Sequence, residues 1–163
     1  MSTATTSSMT AEYVNPVISA TRTVFEMMLG CVPKRKGLML KGEQPPPHDL
    51  SAVIGVTGPT TSGTIVLAFS AASAIETLRR ILGTEATEVN REVCDAVGEL
   101  TNMIAGAAKA QLAHLDLSLS IPNMVMGRDH QVIYPSSVQP ICILFDSDVG
   151  EFMIEVGFAL KNQ

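Results

Sequence analysis

Two runs of strand-forming residues follow one another in Ser51-Ala-Val-Ile-Gly-Val-Thr-Gly-Pro-Thr-Thr-Ser-Gly-Thr-Ile-Val-Leu-Ala-Phe-Ser70. The runs Ser51–Thr57 and Thr64–Ser70 are rich in β-branched and other apolar residues, which favour an extended chain. Gly58-Pro-Thr-Thr-Ser-Gly63 separates them, and glycine and proline are typical turn residues. This stretch therefore predicts a β-hairpin.

Three segments with helical periodicity surround this hairpin: Thr10–Leu29 before it, and Ser70–Leu82 and Glu88–Ala113 after it. In each segment, apolar residues recur three or four positions apart, as they do on one face of an α-helix. Gly30 follows the first segment, and glycine commonly ends a helix. We expect Pro16 near the start of its helix, because an interior proline removes a backbone hydrogen bond.

Shorter runs bounded by Pro, Gly and Asp predict the remaining strands and loops. The predicted strands are Gly37–Lys41, Leu115–Ile121, Gln131–Tyr134, Val138–Phe145 and Glu151–Leu160, and the proline-rich segment Gln44–His48 is predicted to be a loop. The coarse order of elements is α-β-β-β-α-α-β-β-β. That order favours an α+β fold, a two-layer sandwich with a largely antiparallel sheet and about three helices on one face.

The composition is that of a folded protein, since 46% of the 163 residues are hydrophobic and 17% are charged. We predict a flexible tail over residues 1–9, which are rich in Ser and Thr, and a single domain over residues 10–163. The net charge of -5 argues against nucleic acid as a partner. No apolar run approaches the roughly 20 residues that span a bilayer, and no secretory signal is recognisable, so we expect no membrane association.

The cysteines and histidines are scattered along the chain. Cys31, Cys94 and Cys142 form no C-x-x-C pair and are typical of small buried side chains in a reducing compartment. No two of the three histidines have the i, i+4 spacing of a metal site on one helix. The sequence therefore predicts a cytoplasmic protein without a metal site of its own.

The segment Asp95-Ala-Val-Gly-Glu-Leu-Thr-Asn-Met-Ile-Ala-Gly106 lies within the third predicted helix. At about 100° per residue, Asp95, Glu99, Asn102 and Gly106 fall within a sector of roughly 60°. We call these four residues the polar edge. The polar edge points away from the apolar stripe of the same helix, which must face the core. That stripe consists of Val89, Val93, Val97, Leu100, Ile104 and Ala107.

The polar edge has residue types that suit phosphoryl transfer to water. The amide of Asn102 has both a donor and an acceptor, so it can hold a water molecule oriented for in-line attack. Glu99, about one turn earlier, is placed to pair with a basic group on a partner. Gly106 removes a side chain where two surfaces would meet, although Gly98 and Gly106 each cost the helix about 1 kcal/mol relative to Ala. An ordinary solvated surface is the open alternative, because E-x-x-N also occurs often by chance.

The same residues carry a resemblance to a known family. Asp95-x-x-x-Glu99-x-x-Asn102, followed by Pro122, resembles the signature of the CheC/CheX/FliY phosphatases of bacterial chemotaxis. Further similarity to the CheX branch lies in Ala11-Glu-Tyr-Val-Asn-Pro-Val-Ile18, Thr23-Val-Phe-Glu-Met-Met-Leu29, Gly55-Val-Thr-Gly58 and Gly63-Thr-Ile-Val-Leu67. The likeness spans Thr10 to Ala159, and it identifies the chain as CheX-like.

The resemblance implies a function and a role for each residue. Members of this family hydrolyse the aspartyl phosphate of CheY-type response regulators, and the regulator supplies Mg²⁺ and a lysine. By carry-over, Asn102 would position the attacking water and Glu99 would pair with that lysine. We expect the neighbouring Asp95, Gly98 and Gly106 to contact the partner. The resemblance implies no cofactor of the chain's own, and it implies a homodimer formed through the sheets. The alternative is a non-catalytic receiver-domain binding or assembly module of the same fold.

A second E-x-x-N occurs at Glu12 and Asn15. CheC-type members of the family carry two such sites. If Asn15 caps the first helix and Pro16 is its first residue, Glu12 lies outside the helix and the pair cannot share a face. We therefore expect a single site, as in the CheX branch.

Overall fold

The computed structural model describes residues 3–42 and 48–161, with only the backbone described for residues 3–10. Within that part of the chain, three α-helices pack on one face of a seven-stranded antiparallel sheet, which confirms the predicted α+β sandwich. The helices are α1 (Thr3–Leu29), α2 (Ala71–Leu82) and α3 (Arg91–Gln111), with a short 3-10 helix at Ala113–Leu115. The strands are β1 (Lys34–Leu40), β2 (Leu50–Thr57), β3 (Thr61–Phe69), β4 (Ser118–Leu119), β5 (Asn123–Met126), β6 (Ile141–Asp146) and β7 (Phe152–Leu160).

The predicted hairpin is confirmed and lies near the middle of the sheet. The strand order is β1-β6-β7-β3-β2-β4, and β5 also pairs with β2. The register of β2 and β3 runs from Leu50 opposite Phe69 to Thr57 opposite Ser62. The turn is tighter than predicted, because the Gly58 N–H donates to the carbonyl of Thr61 over 2.7 Å.

The core lies between the sheet and the helices, and it is built from alternate residues of the central strands. Side chains that are fully buried there include Leu50, Ile54, Leu67, Phe69, Ile143 and Ile154. Phe152 stacks between Phe25 of α1 and Phe145 of β6, with ring centroids 4.6 Å and 4.8 Å away. Such aromatic stacking joins the first helix to the far half of the sheet.

The opposite face of the sheet carries a buried polar cluster. The Lys41 ammonium lies 3.0 Å from the Glu155 carboxylate, and the Tyr134 hydroxyl donates to the same carboxylate over 3.1 Å. The predicted strand Gln131–Tyr134 is therefore wrong: this segment crosses the face of the sheet instead of pairing with an edge. Tyr134 contacts the sheet through Glu155 of β7, whereas Ile133 is exposed. A buried ion pair must be hydrogen-bonded to be tolerated.

The first helix differs from the prediction at its start. It begins at Thr3 and not at Thr10, so the predicted tail over residues 1–9 is helical from Thr3, and residues 1 and 2 lie outside the described part. Pro16 lies inside this helix and not near its start. An interior proline costs about 3 kcal/mol, but α1 packs on both sides of it, with Tyr13 stacked on Phe158 at 4.6 Å. Packing outweighs the local preference here.

Several strand boundaries in the structure also differ from the predicted ones. The predicted strand Leu115–Ile121 is reduced to the two residues of β4, and β5, which follows Pro122, was not predicted. The strand predicted to begin at Val138 begins after Pro140, which has no N–H for a ladder. Of the predicted loop Gln44–His48, residues 44–47 lie outside the described part. No helix in the described ranges is long and apolar enough to cross a membrane.

Candidate active site

Helix α3 is fixed at its start and along its buried face. The side chain of Asn90 caps it, with Oδ1 accepting from the Val93 N–H over 3.0 Å. Such a cap stabilises a helix by about 1 kcal/mol. Val97, Leu100 and Ile104 are at most 1% exposed on the face that meets the sheet. The rotation of the helix is therefore set by the core, and with it the direction of the polar edge.

The structure places the polar edge at the surface. Asp95, Glu99 and Asn102 are exposed, and Gly106 is half-buried. At a rise of about 1.5 Å per residue, Glu99 and Asn102 lie one turn apart along the axis. The side chains of Glu99 and Asn102 form no hydrogen bond or ion pair with any residue in the described ranges, so both are available to a partner.

Gly98 lies elsewhere, and the expectation that it contacts a partner needs correction. It is buried, and a Cβ built on it would be 3.4 Å from Met124 Sδ and 3.6 Å from Pro122 Cγ. Gly98 therefore lets the segment before and within β5 pack closely against α3. The sequence did not reveal this contact because β5 itself was not predicted.

An open groove of about 680 Å³ runs from Asn102 toward the carboxyl end of α3. On the helix side, Asn102, Gly106 and Lys109 line it, and the segment from Asp116 to Leu119 forms the other wall. A Cβ built on Gly106 would have nothing within 4 Å, so the helix backbone is bare at this point. This groove was not predicted from the sequence. The available signal was Lys109, two helical turns after Asn102 on the same side.

Cys94 is the thiol closest in sequence to the polar edge. It is partly buried, and its Sγ lies 3.6 Å from the Met126 Sδ. Burial, and then the charge of Asp95, raises the pKa of the Cys94 thiol. Because the thiolate is the nucleophilic form, this thiol is a poor nucleophile at neutral pH. In the described ranges, no three His, Cys, Asp or Glu side chains are arranged to hold a metal ion.

The second E-x-x-N lies on α1, and the prediction that this helix begins at Pro16 was wrong. Because α1 continues through Pro16, Glu12 and Asn15 share a helix and both are exposed. Glu12 differs from Glu99 in its surroundings, since its Oε1 lies 2.9 Å from the His114 Nε2. The carboxylate of Glu12 is thus engaged within the chain, whereas that of Glu99 is not.

Comparison with known proteins identifies the family. Residues 50–146 match the family described as chemotaxis phosphatase CheX. The chain belongs to the CheX family. The CheY-P phosphatase CheX of Thermotoga maritima is 32% identical to this CheX-family chain over 127 residues, which is 76% of this chain and 81% of that protein.

Solved structures of CheX proteins share the fold. The chemotaxis protein CheX from Vibrio vulnificus is 32% identical, with a TM-score of 0.84 over 91% of this chain and 100% of that chain. CheX of Borrelia burgdorferi, in a complex with CheY, BeF3 and Mg²⁺, has a TM-score of 0.72 at 21% identity, covering 92% of this chain and 98% of that chain. The second likeness is one of fold.

Proposed function

We propose that this protein is a cytoplasmic phosphatase that accelerates hydrolysis of the aspartyl phosphate of a CheY-type response regulator. The observation that carries the proposal is the pair Glu99 and Asn102, exposed one turn apart on a helix of a CheX-family chain. Support also comes from the Thermotoga maritima relative, which is a CheY-P phosphatase. The Borrelia burgdorferi CheX bound to CheY supports the choice of partner.

In the proposed mechanism, Asn102 positions the attacking water. Its carbonyl oxygen accepts a hydrogen bond from the water, and its NH2 group is free to donate to a phosphoryl oxygen. The water oxygen forms a bond to phosphorus, and the bond from phosphorus to the aspartyl oxygen breaks. The aspartate side chain of the regulator is regenerated as a carboxylate, and inorganic phosphate leaves with the two protons of the water. Holding the water in line removes much of the entropic part of the barrier.

Glu99 is proposed to hold the regulator in place by pairing with its lysine. A carboxylate on an exposed helix position can form a charge-assisted hydrogen bond to an ammonium group. Asp95 adds a second negative charge on the same edge, and Gly106 permits close approach of the regulator. In this proposal the regulator provides the phosphoryl group and its Mg²⁺. The chain itself contributes position and electrostatics.

The proposal includes a homodimer formed through the sheet. Strand β1 is an edge of the sheet, and its residues Leu38, Met39 and Leu40 are 45%, 51% and 61% exposed. Exposed apolar edge strands readily pair with another chain. Light scattering after size exclusion is expected to give twice the chain mass of 17.3 kDa. A mass of one chain at micromolar concentration would contradict the dimer.

The test is the lifetime of a phosphorylated receiver domain with and without the protein. We expect Asn102→Ala to lower the maximal rate of phosphate release on the order of 100-fold, as removal of a group that orients the reacting atoms does. Glu99→Gln is expected to raise the concentration needed for half the maximal rate. Asn15→Ala is the matched control, because it removes the asparagine of the other E-x-x-N, and it is expected to behave like the parent.

The same experiment distinguishes the proposed phosphatase from the alternative function. A non-catalytic receiver-domain binding or assembly module would bind the regulator without changing the lifetime of its phosphate. In that case Glu99→Gln would weaken binding and Asn102→Ala would change nothing. Loss of activity in Asn15→Ala but not in Asn102→Ala would move the site to α1.

A further inference from the structure

Lys109 shares the groove with Asn102 and has no role in the mechanism proposed above. It is exposed, and it lies two helical turns after Asn102 on the same side of α3. In the described ranges it forms no ion pair. Of the residues that line the groove, Lys109 is the cation and Asp116, on the opposite wall, is the anion.

Helix geometry directs the Lys109 side chain back toward Asn102. In an α-helix each side chain leans toward the amino terminus and lies over the preceding turn. The preceding turn contains Gly106, where, apart from its chain neighbours and the adjacent helix backbone, nothing lies within 4 Å of a built Cβ. The four-carbon stem of Lys109 can therefore extend along the groove toward the end occupied by Asn102.

The polar edge and Lys109 together form a line of charge along the helix. Asp95 and Glu99 are negative at one end, Asn102 is neutral, and Lys109 is positive at the other end. An anion placed at Asn102 is repelled by the carboxylates and attracted by the ammonium. Lys109 also lies in the last turn of α3, where a cation complements the helix dipole. The alternative hypothesis is that this structural role is its only one.

We propose that Lys109 is a substrate-binding residue whose ammonium group binds the phosphoryl oxygens of the phosphorylated regulator. This inference rests on the proposed function, because it takes the occupant of the groove to be the aspartyl phosphate next to Asn102. Lys109 gives the protein preference for the phosphorylated regulator over the unphosphorylated one. It acts on binding of the phosphoryl group and leaves the water to Asn102.

The test measures binding separately from hydrolysis. A CheY-type receiver domain is titrated with the protein in two forms, loaded with beryllofluoride and Mg²⁺, and unloaded. We expect Lys109→Gln to weaken binding of the loaded form by about three- to tenfold, the size of one exposed charge-assisted contact, and to leave the unloaded form unchanged. Lys109→Arg, which keeps the charge, is expected to restore most of the affinity. Added salt should reduce the difference in affinity for the loaded form between the parent and Lys109→Gln.

Two further variants serve as controls for charge. Asp116→Asn removes the carboxylate on the opposite wall, so it is expected to tighten binding of the loaded form. Arg22→Gln removes an exposed cation of α1, outside the groove and outside β1, and should have no effect. In the hydrolysis assay, Lys109→Gln should raise KM by the same factor with little change in kcat.

The outcomes are distinct. Equal weakening of the loaded and unloaded forms would overturn the proposal, since the contact would then be to a carboxylate of the receiver. Unchanged binding of both forms, with a loss of stability in unfolding, would also overturn it and leave Lys109 a helix-end cation. If the parent protein binds the loaded form but does not shorten the phosphate lifetime, the proposed function fails while the Lys109 titration still reports on this inference.

Discussion

Replacement of Gly106 by alanine is expected to stabilise the protein and to impair its activity. Gly106 lies in the interior of α3, where glycine is roughly 0.8–1.0 kcal/mol less favourable than alanine. Apart from the chain neighbours and the adjacent helix backbone, a Cβ at this position meets nothing within 4 Å, so no clash with another part of the protein opposes the gain. We therefore expect Gly106→Ala to raise the free energy of unfolding by about 1 kcal/mol and the Tm by roughly 2–4 °C.

The activity of Gly106→Ala should change in the opposite direction. The added methyl group projects into the groove beside Asn102, where the regulator is proposed to approach the backbone. Urea unfolding gives the stability, and the phosphate lifetime of a receiver domain gives the activity. Gly98→Ala is the matched control: it lies on the same helix, but its Cβ would face Met124 and Pro122 beneath β5, so activity should be retained.

Two results would refute this reasoning. An unchanged or lower urea midpoint for Gly106→Ala would show that the glycine has a structural role in the isolated chain. A more stable variant with full activity would show that the regulator does not approach the backbone at Gly106.

Two other variants test the packing and the charges that support the site. Leu100→Ala removes a side chain that is fully buried beneath the polar edge, and it should lower the free energy of unfolding by about 2–5 kcal/mol in urea titrations; a cost below 1 kcal/mol would contradict the packing described. In α2, Arg79 and then Arg80 lower the pKa of Glu76 to about 2 from its ordinary value near 4.5, so its ion pairs stabilise the fold above pH 4.5 and are lost as the pH falls through about 2. The difference in stability between the parent and Glu76→Gln should therefore be largest above pH 4.5, decrease as the pH falls, and be lost below about pH 2; a difference at pH 2 as large as the one at neutral pH would be contrary to this assignment.

The elements with strong local signals could be predicted from the sequence. The central hairpin, α2 and α3 each have a clear hydrophobic period, and the structure has them within a few residues of the predicted bounds. Ser70 and Gly83 cap the two ends of α2, and Asn90 caps the start of α3. The same hydrophobic period predicted that Glu99 and Asn102 are exposed, because they lie on the side of α3 away from its buried apolar stripe. The roles proposed for these side chains came from the family resemblance and not from helical geometry.

The elements held mainly by contacts distant in sequence could not be predicted. Pro16 argued against a helix that packing maintains, and this led to the wrong argument about Glu12 and Asn15. The segment around Tyr134 looks like a strand but is held by the buried Lys41–Glu155 pair. The short strands β4 and β5, on either side of Pro122, have weak local sequence patterns. The burial of Gly98 against β5 and the groove wall at Asp116–Leu119 could therefore not be predicted.

The most direct test of the proposed mechanism is the phosphate lifetime of a phosphorylated receiver domain saturated with the Asn102→Ala variant. Binding of the variant is first verified by titration, so that a loss of activity cannot reflect a loss of the complex. If Asn102 positions the attacking water, the bound phosphate should decay close to the regulator's own rate, while the parent and Asn15→Ala accelerate it. Decay as fast as with the parent would contradict the assignment of Asn102.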